Sequence, residues 1–325
     1  MDSVPCNSPN FSLSELRLNS FQESFSQQRQ VIRILSDLHW GHKASLIRAS
    51  ESLEGLVREA DKVIFNGDTL EQKFEDSPCH LDKPLPRLAE FRDLLESWEV
   101  EPLFLTGNHD PRISNTHYCE LNGGEILITH GDAIFPTVAP WSANRKVLEN
   151  AVARGLASSS ATESFYSFLQ VFKDASLEEQ ALVKDYDPTV WGKIQIFLRQ
   201  AWPPTRAFTI LECWREAPKK AIELVEKFQK RPRFLIIGHT HKPDITVNGS
   251  TTVINTGSFL PWPGATTVDI DSSSITVRKV IKRQGRFTVG DVIGRFEVAI
   301  DLDSLLTPIE ASSKAPQSTE QTVSA

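Results

Sequence analysis

The chain has 325 residues, 40% of them hydrophobic and 24% charged, with a formal net charge of -7. That length allows one large α/β domain or two ordinary ones, either with a substantial core. The acidic balance disfavours a broad grip on nucleic acid, which needs clustered Lys and Arg against the phosphates, and apolar runs such as "FLII" and "EILIT" fall far short of the roughly 20 residues of a membrane span.

Residues 1–29 are rich in Ser, Gln and Asn and lack a basic start followed by an apolar core. They read as a flexible tail, not a signal peptide. Cys6, Cys79, Cys119 and Cys213 stand far apart with no C-x-x-C pair, so neither a disulfide framework nor a thiolate zinc site is expected and a cytoplasmic location fits best. No transmembrane segment is expected, peripheral membrane contact is left open, and nothing bears on oligomeric state.

Strand-like segments then recur: "VIRILSD", "KVIFNGD", "EPLFLTGNHD", "EILITHGD" and "RFLIIGHTH", each ending in a polar loop. Between the early ones, Ala49, Leu53, Leu56, Val57 and Ala60 share one helical face, as do Leu88, Phe91, Leu95 and Trp98. Alternating β and α implies a parallel, doubly covered sheet with its loops gathered at the carboxyl edge. From 136 to about 231 only helical patterns occur, Phe165, Phe168, Leu169 and Phe172 marking one and Ala221, Leu224, Val225 and Phe228 another. "SATE" at Ser160 and "SLEE" at Ser176 read as capping boxes. Beyond the insertion, alternating segments around "NG" and Asp/Ser turns suggest antiparallel hairpins. One domain is thus expected over 30–304, with a helical insertion placed to cap the strand ends at about 136–231 and a second flexible tail at 305–325. There is no internal repeat.

Of eight histidines, His39, His109, His130, His239 and His241 directly follow predicted strands, beside Asp37, Asp68, Asn108, Asp110 and Asp132. A single loop histidine is ordinary; five converging on one sheet edge point to a metal site. Neutral imidazoles with hard carboxylate or amide oxygens suit Mn²⁺, Fe²⁺ or Zn²⁺. The absence of thiolates among them favours a catalytic over a structural ion. Two such ions about 3.5–4 Å apart would activate a water and clamp the oxygens of an in-line displacement.

"SDLH", "NGDTLE", "TGNHD", "THGD" and "GHTH", in this order, resemble the five signature motifs of the calcineurin-like metallophosphoesterase family. The resemblance implies a four-layer α-β-β-α sandwich and two divalent ions, manganese foremost with iron or zinc as alternatives. It implies that Asp37, His39 and His241 bind one ion, that Asn108, His130 and His239 bind the other, and that Asp68 bridges them. An attacking hydroxide would lie between the ions. His109 would face the substrate, stabilising charge on phosphorus or protonating the leaving oxygen, and Asp110 would orient His109.

Around this set, His42 and Arg112 are candidate substrate contacts, since guanidinium forks suit phosphate. Asp132 reads as a turn residue or a partner of a ligand His, and His80 and His117 receive no role. The expected reaction is hydrolysis of a phosphoester or pyrophosphate bond in a small molecule or nucleotide-linked lipid. A nuclease or cyclic phosphodiesterase is the alternative, and a non-catalytic scaffold a remoter one. "GDTLE" and "GNHD" depart from the "GDxxDRG" and "GNHE" of Ser/Thr protein phosphatases. The order "HGD", helical insertion, "GHTHKP" resembles the UDP-2,3-diacylglucosamine pyrophosphatase branch, which usually carries Arg in place of His109. Phe165, Tyr166, Phe168, Phe172, Trp191, Phe197, Trp202, Phe208 and Trp214 could line an apolar pocket there or simply fill a helical core.

Overall fold

The computed structural model describes residues 30–72, 86–182 and 205–300. The two expected tails and His80 lie outside them, as does the stretch 183–204 of the insertion with Trp191, Phe197 and Trp202.

Strand alternation sets the architecture. In β1 (Ile32–Leu35), Ile32 and Ile34 enter one core and Leu35 another, because successive side chains of an extended backbone point to opposite faces. β1 pairs in parallel with β2 (Lys62–Asn66), which pairs in parallel with β3 (Glu101–Leu105). On the other edge of β1, β9 (Thr266–Asp271), β10 (Ser274–Arg283) and β11 (Arg286–Glu297) extend this first sheet antiparallel. The second sheet has the order β4 (Tyr118–Leu121), β5 (Ile126–Thr129), β6 (Phe234–Ile237), β8 (Thr251–Asn255), β7 (Asp244–Asn248), with β5, β6 and β8 parallel. The expected single parallel sheet is therefore two mixed sheets. Strands covered on both faces read as apolar runs whichever sheet they join, so the pattern could not separate the two cases.

Ile34, Ile64 and Leu105 of the first sheet meet Ile128, Ile236 and Ile254 of the second in a buried middle core. On the far face of the first sheet, Leu35, Val63, Phe65 and Phe104 pack under α1 (Glu54–Val57) and α2 (Pro86–Ser97). On the far face of the second, Leu127, Leu235 and Ile237 pack under α3 (Arg145–Leu156), α4 (Phe165–Ala181) and α5 (Thr205–Lys227). The result is the four-layer α-β-β-α sandwich. The described helices of the insertion supply its outermost layer, and Phe165, Phe168 and Phe172 are spent in that core.

Two expected helix starts are not used. Ser160 sits in a short 3₁₀ turn, and the N-cap of α4 is Ser164, whose hydroxyl accepts from the Ser167 amide. Ser176 lies inside α4 and donates to the Phe172 carbonyl at 2.8 Å. A hydroxyl can satisfy the carbonyl four residues back as readily as an orphan amide, so the capping pattern is ambiguous on its own.

Phe65 is fully buried and stacks on Phe104 at 5.0 Å between centroids, with Phe91 at 5.3 Å. Phe65→Ala is expected to lose about 3–5 kcal/mol of stability, read by urea denaturation of the full chain; a loss within measurement error would contradict this packing.

Candidate metal centre

The carboxyl ends of β1, β2 and β3 in one sheet and of β5 and β6 in the other carry Asp37, Asp68, Asn108, His130 and His239. Parallel strands place those ends on one edge, where α/β proteins build sites. Leaving a strand abruptly requires unusual backbone, and Asp37, His39, Asp68, His239 and His241 all have positive φ, between 47° and 66°. For non-glycine residues this conformation is costly and is held only by surrounding structure. The glycines beside them admit close approach: a Cβ on Gly107 would overlap the Asp68 carboxylate, and one on Gly238 would overlap that of Asp37.

The side chains form two groups that share one carboxylate. In the first, Asp37, His39, Asp68 and His241 bring their donor atoms together, His241 Nε2 lying 3.1 Å from His39 Nε2 and 3.2 Å from Asp37 Oδ1. In the second, His130 Nε2 lies 3.3 Å from both Asp68 Oδ2 and Asn108 Oδ1, and His239 Nδ1 lies 2.9 Å from Asn108 Oδ1. The far nitrogens are already engaged. His130 Nδ1–H donates to the Asn66 carbonyl and His239 Nε2–H to the Val138 carbonyl, each at 2.9 Å. These bonds fix the orientation of both rings and aim His130 Nε2 and His239 Nδ1 into the cluster, as the second partner of a metal-ligating imidazole does. Burial and the neighbouring His130 push His239 down to about 4, so its ring is neutral and able to donate a lone pair. Burial would raise Asp68, but His130 and His109 outweigh it and hold the carboxyl well below its usual range. Imidazole nitrogens, two carboxylates and an amide oxygen in one largely buried cluster fit divalent ions of the Mn²⁺, Fe²⁺ or Zn²⁺ type.

His109 has a different partner from the one expected. Its Nδ1–H donates to Glu71 at 2.9 Å, while its backbone N–H donates to Asp68 Oδ1 at 2.8 Å. Asp110 does not reach the ring: its carboxylate accepts from the amides of Asp68, Thr69, Leu70 and Gly107 at 2.7–3.1 Å. Asp110 thus ties the loop after β3 to the loop after β2, and orientation of His109 falls to Glu71. Glu71 also lies 3.6 Å from His39 Nδ1, and its place three residues past Asp68 in "NGDTLE" does not by itself mark it as a site residue. His39, Glu71 and His109 make a third cluster of metal-capable groups. Glu71→Gln is expected to lower turnover about 10–100-fold with metal content retained. Unaltered turnover would exclude Glu71 as the partner of His109.

The remaining candidates are peripheral. The His42 ring is 6.2 Å from that of His39 and accepts from the Ala44 amide through Nδ1 at 3.1 Å. Arg112, two residues past Asp110, has its Nε buried. Asp132 pairs with Lys173 Nζ at 2.6 Å, not with a ligand histidine. His117 lies buried in the helix–sheet layer, accepting from the Thr106 hydroxyl at 2.7 Å through Nδ1 and donating to Gln170 Oε1 at 2.8 Å through Nε2. Residues of the insertion also border the cluster, with the Trp141 ring 5.3 Å from that of His239 and Trp214 Nε1–H donating to the Thr240 carbonyl at 2.7 Å.

The calcineurin-like phosphoesterase family model matches residues 31–243, a span that includes every strand end of the cluster. The chain belongs to the calcineurin-like phosphoesterase family. Members of this calcineurin-like family depend on metal ions. No curated protein matches the chain significantly. Similar solved structures include a predicted phosphoesterase from Streptococcus pneumoniae, 17% identical over 84% of this chain and 100% of that one, with a TM-score of 0.33. Yfce, a phosphoesterase from E. coli, is 13% identical over 84% and 100%, with a TM-score of 0.36. Vps29 from Chaetomium thermophilum is 11% identical over the same shares, with a TM-score of 0.37. These remote likenesses bear on no residue's role in this calcineurin-like phosphoesterase. Among its described residues, no helix is long and apolar enough to cross a membrane.

Proposed function

We propose that the chain is a hydrolase of phosphoester or pyrophosphate bonds in small molecules, dependent on two divalent ions. The observation that carries this reading is the shared carboxylate: Asp68 belongs to both ligand groups and also accepts the His109 backbone N–H. Asp37, His39 and His241 would hold one ion, Asn108, His130 and His239 the other, and Asp68 both. When bound, the ions would lower the pKa of a water and neutralise charge on the phosphoryl oxygens.

The chain's own groups supply the rest. Glu71 holds the His109 ring through Nδ1 and, as a buried carboxylate, stabilises the imidazolium. Nε2–H is then available to a phosphoryl oxygen as charge grows there, or to the leaving oxygen as the bond breaks. His109 and the candidate ligand His241 are partly exposed, at 24% and 26% of their side chains, whereas the candidate ligands Asp37, Asp68 and His130 are at 1% or less. Such a gradient suits an ion site that is buried on the Asp37, Asp68 and His130 side and open to substrate on the side of His109 and His241. His42 and Arg112 are proposed as substrate contacts at the rim. In this reading, 30–304 is one catalytic domain interrupted by the insertion at 136–231.

The motif order shared with the UDP-2,3-diacylglucosamine pyrophosphatase branch makes nucleotide-linked lipids a natural part of a substrate panel, beside nucleotides and nucleotide sugars. The primary test is hydrolysis of bis-p-nitrophenyl phosphate by the purified chain with Mn²⁺, with Fe²⁺ and Zn²⁺ in parallel. Metal-dependent release of p-nitrophenol is expected. A preparation that binds metal yet cleaves neither this ester nor any member of the panel would overturn the assignment.

A further inference from the structure

Helix α4 carries no candidate metal ligand, yet several of its polar side chains are spent on the loops that do. Lys173 Nζ donates to Asp132 Oδ2 at 2.6 Å and to the Thr106 carbonyl at 3.0 Å, with both charged side chains at most 2% exposed. Thr106 opens the loop that bears Asn108 and His109; Asp132 follows His130 by two residues. Gln180, seven residues further along α4, donates to the Asn108 carbonyl at 3.1 Å and the His109 carbonyl at 3.3 Å. Gln170 completes the row through His117, which takes the Thr106 hydroxyl.

The two loops that Lys173 joins leave strands of different sheets, β3 and β5. Among the described residues no strand pairing links β3 to β5 directly, so side-chain contacts between their loops bear on their relative placement. A buried Lys–Asp pair is a poor choice for stability alone, because apolar residues of similar volume commonly do as well without the desolvation of two charges. An ammonium does offer what an apolar side chain lacks, namely several donors that can hold a carbonyl and a carboxylate at a set separation. Asn108 and His130, carried by these loops, face each other at 3.3 Å in the second ligand group.

We propose that Lys173 is a positioning residue: bonded to both the Thr106 carbonyl and Asp132, it sets the separation of Asn108 and His130 around a divalent ion. The turnover part of this proposal rests on the function proposed above, whereas the metal-affinity part does not.

Full-length Lys173→Met and Lys173→Met/Asp132→Asn test it by thermal unfolding, by Mn²⁺ affinity in calorimetry, and by kcat and KM on bis-p-nitrophenyl phosphate. The single variant strands the Asp132 charge, so the double variant decides. It is expected to melt near the parental temperature, to bind Mn²⁺ about 10–100-fold more weakly, and to lose a similar factor in kcat with little change in KM. A double variant with parental Mn²⁺ affinity would overturn the proposal. So would one that fails to fold, since that assigns the pair to stability. Weakened Mn²⁺ binding in a chain with no hydrolase activity would uphold Lys173 and reject the function reading.

Discussion

Asp68→Asn is expected to abolish measurable hydrolysis while leaving the chain folded. The substitution keeps size and shape, so the middle core is undisturbed, but it removes a charge that two ligand groups share. Asp68 Oδ2 lies 3.3 Å from His130 Nε2 and 3.8 Å from His39 Nε2, and Oδ1 accepts the His109 amide at 2.8 Å. An asparagine can give its oxygen to one of these neighbours; its NH₂ end then faces an ion or an amide donor. The loss in kcat/KM should exceed the roughly 10²–10³-fold caused by removing one preorganised donor in an enzyme, because under the proposed function it affects both ligand groups and His109 together. Elemental analysis should show fewer than the parental number of bound ions. Parental metal content with parental turnover would remove Asp68 from the mechanism.

His109→Ala separates chemistry from metal binding. His109 is proposed to act on the substrate, so its loss should lower kcat by about 10²–10⁴-fold, the usual contribution of a positioned acid or base, with bound metal unchanged. The third cluster of His39, Glu71 and His109 gives this experiment a definite opposite. If His109→Ala loses one equivalent of metal along with activity, His109 is a ligand and not the acid. Read with Glu71→Gln, the pair is diagnostic: removal of either member of a hydrogen-bonded His–Glu unit should change the same step, so the double variant should be scarcely slower than His109→Ala alone.

The residues of the cluster were legible in the sequence because each stands directly after an apolar run, and such runs become strands whose polar ends gather at one edge. Asp37, His39, Asp68, Asn108, His130, His239 and His241 could be picked out on that ground and on motif order. Glu71 could not be given its role, since a carboxylate three residues past Asp68 looks no different from a solvated one until the loop folds back on His109. Asp110 misled for the converse reason. It is adjacent to His109 in sequence, but its carboxylate turns to four backbone amides, which an exposed turn would have left to water. Lys173 and Gln180 carry no motif at all; they become neighbours of the site only when α4 packs on the second sheet.

Local pattern therefore determined the strands, most of the helical faces and the candidate ligands, because these depend on periods of two or about 3.6 residues and on the residue types placed just after a strand end. The partner of His109 and the Lys173 bridge depended on contacts between residues 38 to 67 positions apart, and the partition into two sheets on pairings as remote as Ile32 with Ile270 and Ile126 with Phe234. No local period encodes such pairings; they exist only once four layers have packed and brought five strand ends to one place.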